Sequence, residues 1–377
     1  MSQNGEFMSV NQSEKPEINS CRRWTICTVL LTAAIFIAIA SATIYKDPFY
    51  HYHGPLPQYH YPQLEYPDSN ERYLNDGITR NFSYEGIITG TSMAENFKAS
   101  EAEALFGVNF IKVPYSGASF KELNDNLVRA YGAGKQIKYI IRPLDYGYMV
   151  SDKDKYDETF DYPLYLYNDN PFDDISYVLN KSILLKETLP VTKAPDGMGS
   201  SVDFDSYGEW NSYYSGQFGA NYVLPTYRLK DTPDPMQPFT KEDQELLLGN
   251  LRQNVTALAA EHPETTFYLF FTPYSIGYWD FLNNTGKLGW QFEMERISIE
   301  ELLQYPNIRL YSFSDDFEII CDLDNYKDYL HYGEWINSRI LEQMKEEKHL
   351  LTKDNYQDYL QTIQTFYTSY DYASLHN

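Results

Sequence analysis

The fold is decided by residues 86–144, which read GIITGTSMAENFKASEAEALFGVNFIKVPYSGASFKELNDNLVRAYGAGKQIKYIIRPL. Short apolar runs bounded by polar residues predict buried strands at 86–89, 108–113 and 137–144. The segments between them carry apolar residues at helical spacing and predict helices at 95–105 and 120–131. Strands separated by helices of this length predict βαβ units and a parallel sheet.

The same alternation returns towards the C-terminus after an irregular interval. Residues 150–240 are dense in Asp, Tyr, Asn, Gly and Pro, which predicts an insertion or cap over the sheet. Beyond it, apolar periodicity predicts helices at 242–262, 297–303 and 333–348. Buried strands are predicted at 267–271 and 308–313. The chain is therefore predicted to be an α/β protein with a central parallel sheet.

Composition excludes several classes of protein. The 377 residues carry a formal net charge of -23, whereas phosphate binding needs a basic surface, so no nucleic-acid partner is predicted. A hydrophobic fraction of 43% excludes a wholly disordered chain, and 3 cysteines exclude a disulfide scaffold. The 36 tyrosines suit a wet carbohydrate-binding surface, although a tyrosine-rich core without a ligand gives the same composition.

One segment near the N-terminus is apolar enough to cross a membrane. Residues 24–45 contain no charged side chain, and about 20 such residues span a bilayer. Arg22 and Arg23 precede this segment, which predicts a cytoplasmic N-terminus, a single-pass cell-membrane anchor and an extracytoplasmic domain. A cleaved signal peptide is the alternative, because Ala40-Ser41-Ala42 matches a cleavage site.

The predicted organisation has five parts: a cytoplasmic N-terminus at 1–23, the anchor at 24–45, a stalk at 46–83, an α/β domain at 84–350 with its insertion at about 150–240, and a C-terminal tail at 351–377. Prolines without apolar periodicity make 46–80 an extended stalk or a strap over the domain. Three histidines in this stretch could bind a metal, but no carboxylate or cysteine is placed among them, which favours a linker; they are His51, His53 and His60.

Ser92 is the candidate nucleophile. It follows the strand at 86–89 directly and therefore stands at the carboxyl edge of the sheet, where open α/β folds bind ligands. The N-terminus of the helix predicted at 95–105 would supply free backbone N–H groups to an oxyanion. A serine at a strand-to-helix turn can also serve only as a helix cap.

A base and an acid for this serine occur near the C-terminus. Asp328 and His331 have the spacing Asp-x-x-His, which places both side chains on one side of a turn. The carboxylate can hold the imidazole tautomer while the other ring nitrogen takes the serine proton. Asp322 and Asp324 are alternative acids, and a surface-loop histidine without a role is the alternative for His331.

At these residues the sequence resembles the SGNH/GDSL hydrolase superfamily, in particular membrane-anchored bacterial members encoded with surface-polysaccharide genes. The resemblance covers about residues 84–350. It rests on four stretches, which are IITGTSMAENF at 87–97, VPYSGASF at 113–120, FFTPYSIGYW at 270–279 and NYKDYLHYG at 325–333. It implies a flavodoxin-like three-layer fold and a serine esterase or O-acyltransferase without a cofactor or metal.

The resemblance also implies roles for single residues. Ser92 matches the nucleophile, Asp328 and His331 match the acid and the base, and the backbone N–H groups of Ser92 and Gly117 match two oxyanion donors. The superfamily places an asparagine after the third strand as a further donor. Asp145 is the residue near that position here, and its carboxylate would repel an oxyanion.

Two functions follow as expectations. The first is an enzyme that removes or transfers acyl groups on a cell-surface glycan, with the glycan or its acyl donor as partner; for transfer, a membrane protein that delivers the acyl group is a further predicted partner. The second is a catalytically weak or inactive glycan-binding or assembly protein of polysaccharide or teichoic acid modification. The absent asparagine and the aromatic excess favour the second function. For the first function, the sequence does not distinguish hydrolysis of the acyl ester from transfer of the acyl group.

Overall fold

The computed structural model describes residues 15–62, 71–160, 162–194 and 203–376. The described helices are α1 (Lys15–Lys46), α2 (Glu71–Asn81), α3 (Ala99–Phe106), α4 (Phe120–Gly132), α5 (Tyr146–Met149), α6 (Ile175–Val178), α7 (Lys181–Ile183), α8 (Ala220–Val223), α9 (Lys241–Leu251), α10 (Ala257–Glu261), α11 (Ile276–Asn284), α12 (Leu288–Leu302), α13 (Phe317–Cys321), α14 (Glu334–Lys345) and α15 (Tyr356–Ser369). The described strands are β1 (Tyr59–His60), β2 (Gly86–Gly90), β3 (Phe110–Pro114), β4 (Tyr139–Leu144), β5 (Thr192–Lys193), β6 (Thr266–Phe271), β7 (Ile308–Ser312) and β8 (Leu350–Leu351).

The first helix carries the apolar segment of the sequence. Its stretch Ser20–Lys46 has 27 residues, and the most apolar 18-residue window within it has a mean hydropathy of 2.3 and is not covered by the rest of the protein. This length and apolarity suffice for a membrane span. The helix α1 extends beyond the predicted boundaries of 24–45 at both ends.

The central sheet has six strands in the order β3-β2-β4-β6-β7-β8. The first five run parallel, and β8 pairs antiparallel with β7. Within the parallel part, the order is 2-1-3-4-5 along the chain, which is an order of doubly wound sheets. The chain leaves β2 in one direction and returns past it to β4, so the sheet has its topological switch point between the carboxyl ends of β2 and β4.

Helices cover both faces of the sheet. Right-handed crossovers put α3 on one face and α4, α9 and α12 on the other, because the crossover after β2 runs opposite to the later ones. In agreement, α3 contacts α14, whereas α9 contacts α12. The predicted alternating α/β architecture with a mostly parallel sheet is therefore confirmed. In its described part, the insertion at 150–240 contains only short helices and the strand β5, which pairs antiparallel with β1 of the preceding segment.

The described part of 46–83 packs onto the domain, so of the two alternatives for this segment the strap describes it and the extended stalk does not. Asp47, Phe49, Tyr50 and His51 are buried, and most of α2 is buried as well. Ion pairs fix α2 to α4: Arg72 Nε lies 2.9 Å from Glu122 Oε1, and Arg129 pairs with Asp76. Aromatic stacking and paired charges, instead of a periodic apolar face, hold this segment on the domain.

In the described residues, no group of three or more His, Cys, Asp or Glu side chains is arranged to hold a metal.

The predicted C-terminal tail at 351–377 is also part of the domain. Its helix α15 buries Tyr359, Leu360, Ile363 and Tyr367. The Tyr367 ring stacks on the ring of Trp279 in α11, with the ring centroids 3.7 Å apart. The last helix therefore completes the core on the α12 side of the sheet, where it also contacts α12.

Glu295 of α12 is buried beneath this last helix. Its carboxylate accepts hydrogen bonds from the hydroxyl groups of Tyr146, Ser312 and Tyr359. Burial raises the pKa of Glu295 to about 7, although these hydrogen bonds oppose the shift. In the native protein Glu295 therefore ionises near neutral pH, above the ordinary pKa of 4.5.

We expect Glu295 to make the free energy of unfolding fall as pH rises from about 5 to 8. The unfolded chain ionises this carboxyl group first, so the stabilisation is complete below its unfolded pKa and is lost as pH passes the native value. The loss is about 3 kcal/mol, from 1.36 kcal/mol per pKa unit. Denaturation in detergent should show a smaller pH dependence for Glu295→Gln than for the control Glu342→Gln, an exposed residue of α14. Equal slopes would contradict this role of Glu295.

Candidate active site

Ser92 lies in a tight turn at the carboxyl end of β2. All five residues of β2 are buried, and residues 92–96 turn away from the sheet before the next helix. That helix, α3, begins at Ala99 and not at residue 95. The predicted start of this helix at residue 95 is therefore wrong. The N–H groups available beside Ser92 come from the turn itself.

His331 contacts Ser92 across the sheet edge. Its Nε2 atom lies 2.8 Å from Ser92 Oγ, within the distance expected of a nucleophile and its base. The His331 loop is held as a small hairpin, because Tyr326 and Tyr332 form an antiparallel bridge and the Lys327 N–H donates to the His331 carbonyl. Ser92 and His331, which are 239 positions apart in the sequence, thus meet at the switch point of the sheet.

Asp328 contacts the other nitrogen of the imidazole. His331 Nδ1 lies 2.8 Å from Asp328 Oδ2 and 3.0 Å from Oδ1. Oδ1 also accepts the backbone N–H groups of Leu330 and His331, each at 2.8 Å. Burial opposes ionisation, but the His331 side chain and these N–H groups outweigh it and hold the pKa of Asp328 below its ordinary value. The carboxylate therefore stays charged and favours the tautomer that has its proton on Nδ1.

The two alternative acids lie elsewhere in the loop. Asp322 accepts the backbone N–H of Asp324 at 3.0 Å and caps a short helical turn. Asp328 is the carboxylate that the structure brings to His331. The order hydroxyl, imidazole, carboxylate is the one that nucleophilic catalysis by serine requires.

Trp210 of the insertion packs against both Ser92 and His331. Its indole N–H donates to the Ser92 carbonyl at 3.2 Å, and its ring meets the imidazole edge to face with centroids 5.7 Å apart. The Lys327 ammonium lies 4.2 Å from the Trp210 ring centroid and 3.8 Å from that of Tyr214. Sequence reasoning did not single out Trp210, because nothing in the irregular insertion indicates which aromatic residue reaches the sheet edge.

Gly117 follows β3 beside Ser92. Its φ of 64° favours glycine, and a Cβ atom would lie only 2.6 Å from a ring carbon of Phe160. Within the described residues, the backbone N–H groups of Ser92 and Gly117 donate to no protein acceptor. Both residues line the same cavity. These two N–H groups are thus available to an oxygen that develops negative charge above Ser92.

Asp145 points away from these donors. Its carboxylate is buried and accepts the hydroxyl groups of Thr91 at 2.6 Å and Tyr274 at 2.9 Å. Burial raises the pKa of Asp145, whereas both hydroxyl groups lower it. Thr91 Oγ1 also accepts the Met93 N–H at 3.4 Å, so Asp145 supports the turn that carries Ser92. It faces the turn instead of occupying the place of an oxyanion donor.

Tyr148 brings to the cavity a hydroxyl group that the sequence did not reveal. It is the third residue of α5, the short helix that follows Asp145, and its hydroxyl oxygen would lie 3.5 Å from a Cβ atom built on Gly117. Burial and the nearby carboxylates of Asp145 and Asp157 raise the pKa of Tyr148, so its hydroxyl keeps its proton. Tyr148 lines the cavity with Ser92 and His331.

The cavity above Ser92 has a volume of about 900 Å³. Its wall mixes aromatic rings with charged groups, which are Glu71, Arg72, Tyr73, Ser92, Glu95, Ser116, Gly117, Tyr148, Asp157, Thr159, Phe160, Gly208, Trp210, Tyr213, Tyr214, Lys327 and His331. Burial raises the pKa of Glu95 to about 7, against the charges of His331 and Lys112. Burial and the Glu95 charge also raise the pKa of Glu71. Glu95 in the cavity wall therefore becomes charged closer to neutral pH than an ordinary carboxyl group does.

No protein-family model matches the chain, and neither a curated protein nor a solved structure shows significant similarity to it.

Proposed function

We propose that the protein is an SGNH-type serine esterase or O-acyltransferase that acts on acyl esters of a cell-surface glycan outside the cytoplasm. The hydrogen-bonded series Ser92, His331, Asp328 at the switch point of the sheet carries the proposal. The strand order 2-1-3-4-5 supports the SGNH fold, and so does the position of the serine after the first parallel strand.

The proposed reaction passes through an acyl-enzyme. Ser92 Oγ attacks the ester carbonyl carbon while His331 Nε2 takes the hydroxyl proton, and Asp328 stabilises the imidazolium. The tetrahedral intermediate collapses, the C–O bond of the ester breaks, and His331 returns the proton to the leaving alcohol. Water or a sugar hydroxyl then gives a proton to His331 and attacks the acyl carbon. The second tetrahedral intermediate collapses, the bond between Ser92 Oγ and the acyl carbon breaks, and His331 returns the proton to Ser92 Oγ, with the acid or a new ester as product.

Three donors face the intermediate in this proposal. The Ser92 and Gly117 N–H groups supply two, and the Tyr148 hydroxyl takes the part of the absent asparagine amide. Asp145 opposes the oxyanion less than a carboxylate in the hole would, because its oxygens accept the hydroxyl groups of Thr91 and Tyr274 and it is not among the residues that line the cavity. The oxyanion hole is thus complete without an amide side chain.

We expect Tyr148→Phe to lower kcat for acetyl ester hydrolysis by about 10²-fold with little change in KM, because a donor aimed at the oxyanion acts mainly in the transition state. Initial rates with 4-nitrophenyl acetate would measure this. Tyr131→Phe is the matched control, since its hydroxyl bonds Thr265 away from the cavity. A Tyr148→Phe variant with unchanged kcat would remove Tyr148 from the oxyanion hole.

A glycan fits the wall of the cavity. The aromatic rings of Trp210, Tyr213 and Tyr214 offer flat apolar faces, and tyrosine hydroxyl groups and charged side chains offer hydrogen bonds. Arg22 and Arg23 before the apolar segment support a cytoplasmic N-terminus and an outward domain. A membrane protein that supplies acyl groups belongs to the transferase version of this proposal.

The decisive experiment is labelling with a fluorophosphonate, which reacts with activated serine hydroxyl groups. Full-length protein in detergent should be labelled at Ser92 by peptide mass mapping, and Ser92→Ala should not be labelled. Absence of labelling in the folded wild-type protein would overturn the enzyme proposal.

A non-catalytic glycan-binding or assembly protein is the second candidate. The aromatic wall of a 900 Å³ cavity and the absence of an asparagine donor favour it. Under this candidate, wild type and Ser92→Ala bind an acetylated cell-surface oligosaccharide with equal affinity, and neither reacts with the fluorophosphonate.

A further inference from the structure

The C-terminal end of α1 is fastened to the insertion. Thr43 Oγ1 lies 3.3 Å from Thr188 Oγ1, and the Lys46 ammonium donates to the Thr188 carbonyl at 3.1 Å. Directly after the helix, Asp47 accepts the Tyr177 hydroxyl at 2.8 Å. The end of the apolar helix is therefore seated on α6 and on the turn Leu184–Thr188.

Large apolar side chains are exposed around this junction. Phe172 is 88% exposed, and Ile175 is 59% exposed. Together they form a set that we call the apolar rim, consisting of Leu164, Phe172, Ile175, Leu185 and Leu189. Three rim residues stand on elements that contact one another or α1: α6 and the turn Leu184–Thr188 touch α1, and the turn Leu164–Leu166 touches α6. Phe172 lies three residues before α6, and Leu189 directly follows the turn Leu184–Thr188.

We infer that the apolar rim rests in the interface of the lipid bilayer that α1 enters. The membrane is the occupant because the rim is continuous with the point where the 27-residue apolar stretch ends. Because the C-terminal end of α1 is fixed to the insertion, the apolar rim beside it lies at the surface of the bilayer that α1 enters. Apolar side chains in such a position enter the headgroup and acyl-chain boundary by about 5–10 Å.

Charge and aromatic residues agree with this location. Lys181 and Lys186 are exposed beside the rim and suit anionic headgroups. The exposed Asp169 is compensated, since it lies 3.4 Å from Arg129 and 3.9 Å from Arg80. Tyr45 at the end of α1 is 55% exposed, as expected for an aromatic residue at a membrane surface.

The test uses the full chain in nanodiscs of phosphatidylethanolamine and phosphatidylglycerol. Cys21, Cys27 and Cys321 are first replaced by alanine, and an environment-sensitive fluorophore is then attached to Phe172→Cys or Leu185→Cys. Met236→Cys is the control: Met236 is 82% exposed, but its loop pairs with residues 284–286 beyond β6. Lipids with a nitroxide on the acyl chain serve as the quencher.

We expect quenching at both rim positions to be at least about threefold stronger than at the control, because only the rim reaches the acyl chains. Because two rim positions are labelled, the test remains valid if one of the two variants misfolds. Quenching does not depend on catalysis, so the test is independent of the proposed enzymatic activity. Equal quenching at all three positions would overturn the inference. Cross-links between rim positions of two copies, without lipid quenching, would assign the rim to a second copy and overturn it as well.

Discussion

Ser92→Ala is expected to lower kcat for acetyl ester hydrolysis by about 10⁴-fold or more, the loss found when a serine nucleophile is removed from a triad. Alanine leaves no hydroxyl group to accept the acyl group. His331 Nε2, which lies 2.8 Å from Ser92 Oγ in the wild-type protein, then has no hydroxyl proton to take. The residual rate reflects only the oxyanion donors and binding.

The measurement compares purified wild type, Ser92→Ala and Ser100→Ala in detergent with 4-nitrophenyl acetate and an acetylated oligosaccharide. Ser100 is the matched control because it is exposed at the start of α3 and bonds Asp205 instead of the cavity. Circular dichroism verifies that each variant is folded. If Ser92→Ala keeps a tenth of the wild-type kcat, the acyl-enzyme reaction proposed for Ser92 is wrong.

Asp328→Asn is expected to lower kcat by about 10⁴-fold while the fold stays intact. The asparagine oxygen can still accept the backbone N–H groups of Leu330 and His331, which Asp328 Oδ1 accepts now. Its amide NH₂ then faces His331 Nδ1 and forces the proton onto Nε2. A protonated Nε2 cannot take the proton of Ser92.

Asp324→Asn is the control for this substitution, because Asp324 was an alternative acid by spacing and does not contact His331. Its kcat should stay within a few fold of wild type. The two variants are compared by initial rates across pH, since a wrong tautomer lowers the plateau of the profile instead of moving its acid limb. Equal losses in both variants would point to loop folding and away from a role in holding the tautomer.

Much of the sheet could be predicted because its strands are fully buried. Parallel strands covered on both faces give short continuous apolar runs, and five of these runs lie within two residues of their predicted positions. Ser92, Asp328 and His331 could be singled out because each stands at a turn defined by such a run or by the short Asp-x-x-His spacing.

The rest depends on contacts that leave no periodic pattern. The helix α2 buries Arg72 and Asp76, which look like surface residues in the sequence until their partners Glu122 and Arg129 are known. The contacts of Tyr148 and Trp210 arise from the path of irregular segments. The start of α3 was misplaced because the polar residues Glu95 and Asn96 suit a helix and a turn equally.

The junction at Asp47 has a mechanical consequence. Its carboxylate accepts three consecutive backbone N–H groups, those of His51, Tyr52 and His53, in addition to the Tyr177 hydroxyl. The Phe49 ring just beyond it lies against the Tyr73 ring, and Tyr73 lines the cavity. The end of α1 is thus connected to the cavity by packed side chains and not by a flexible linker. The cavity therefore cannot move far from the end of α1. With α1 in a bilayer, the cavity stays at a constant distance from the membrane surface. Partners anchored in the same leaflet can then reach the cavity by lateral diffusion in two dimensions. A polymer far from the membrane has to approach the membrane surface to reach the cavity.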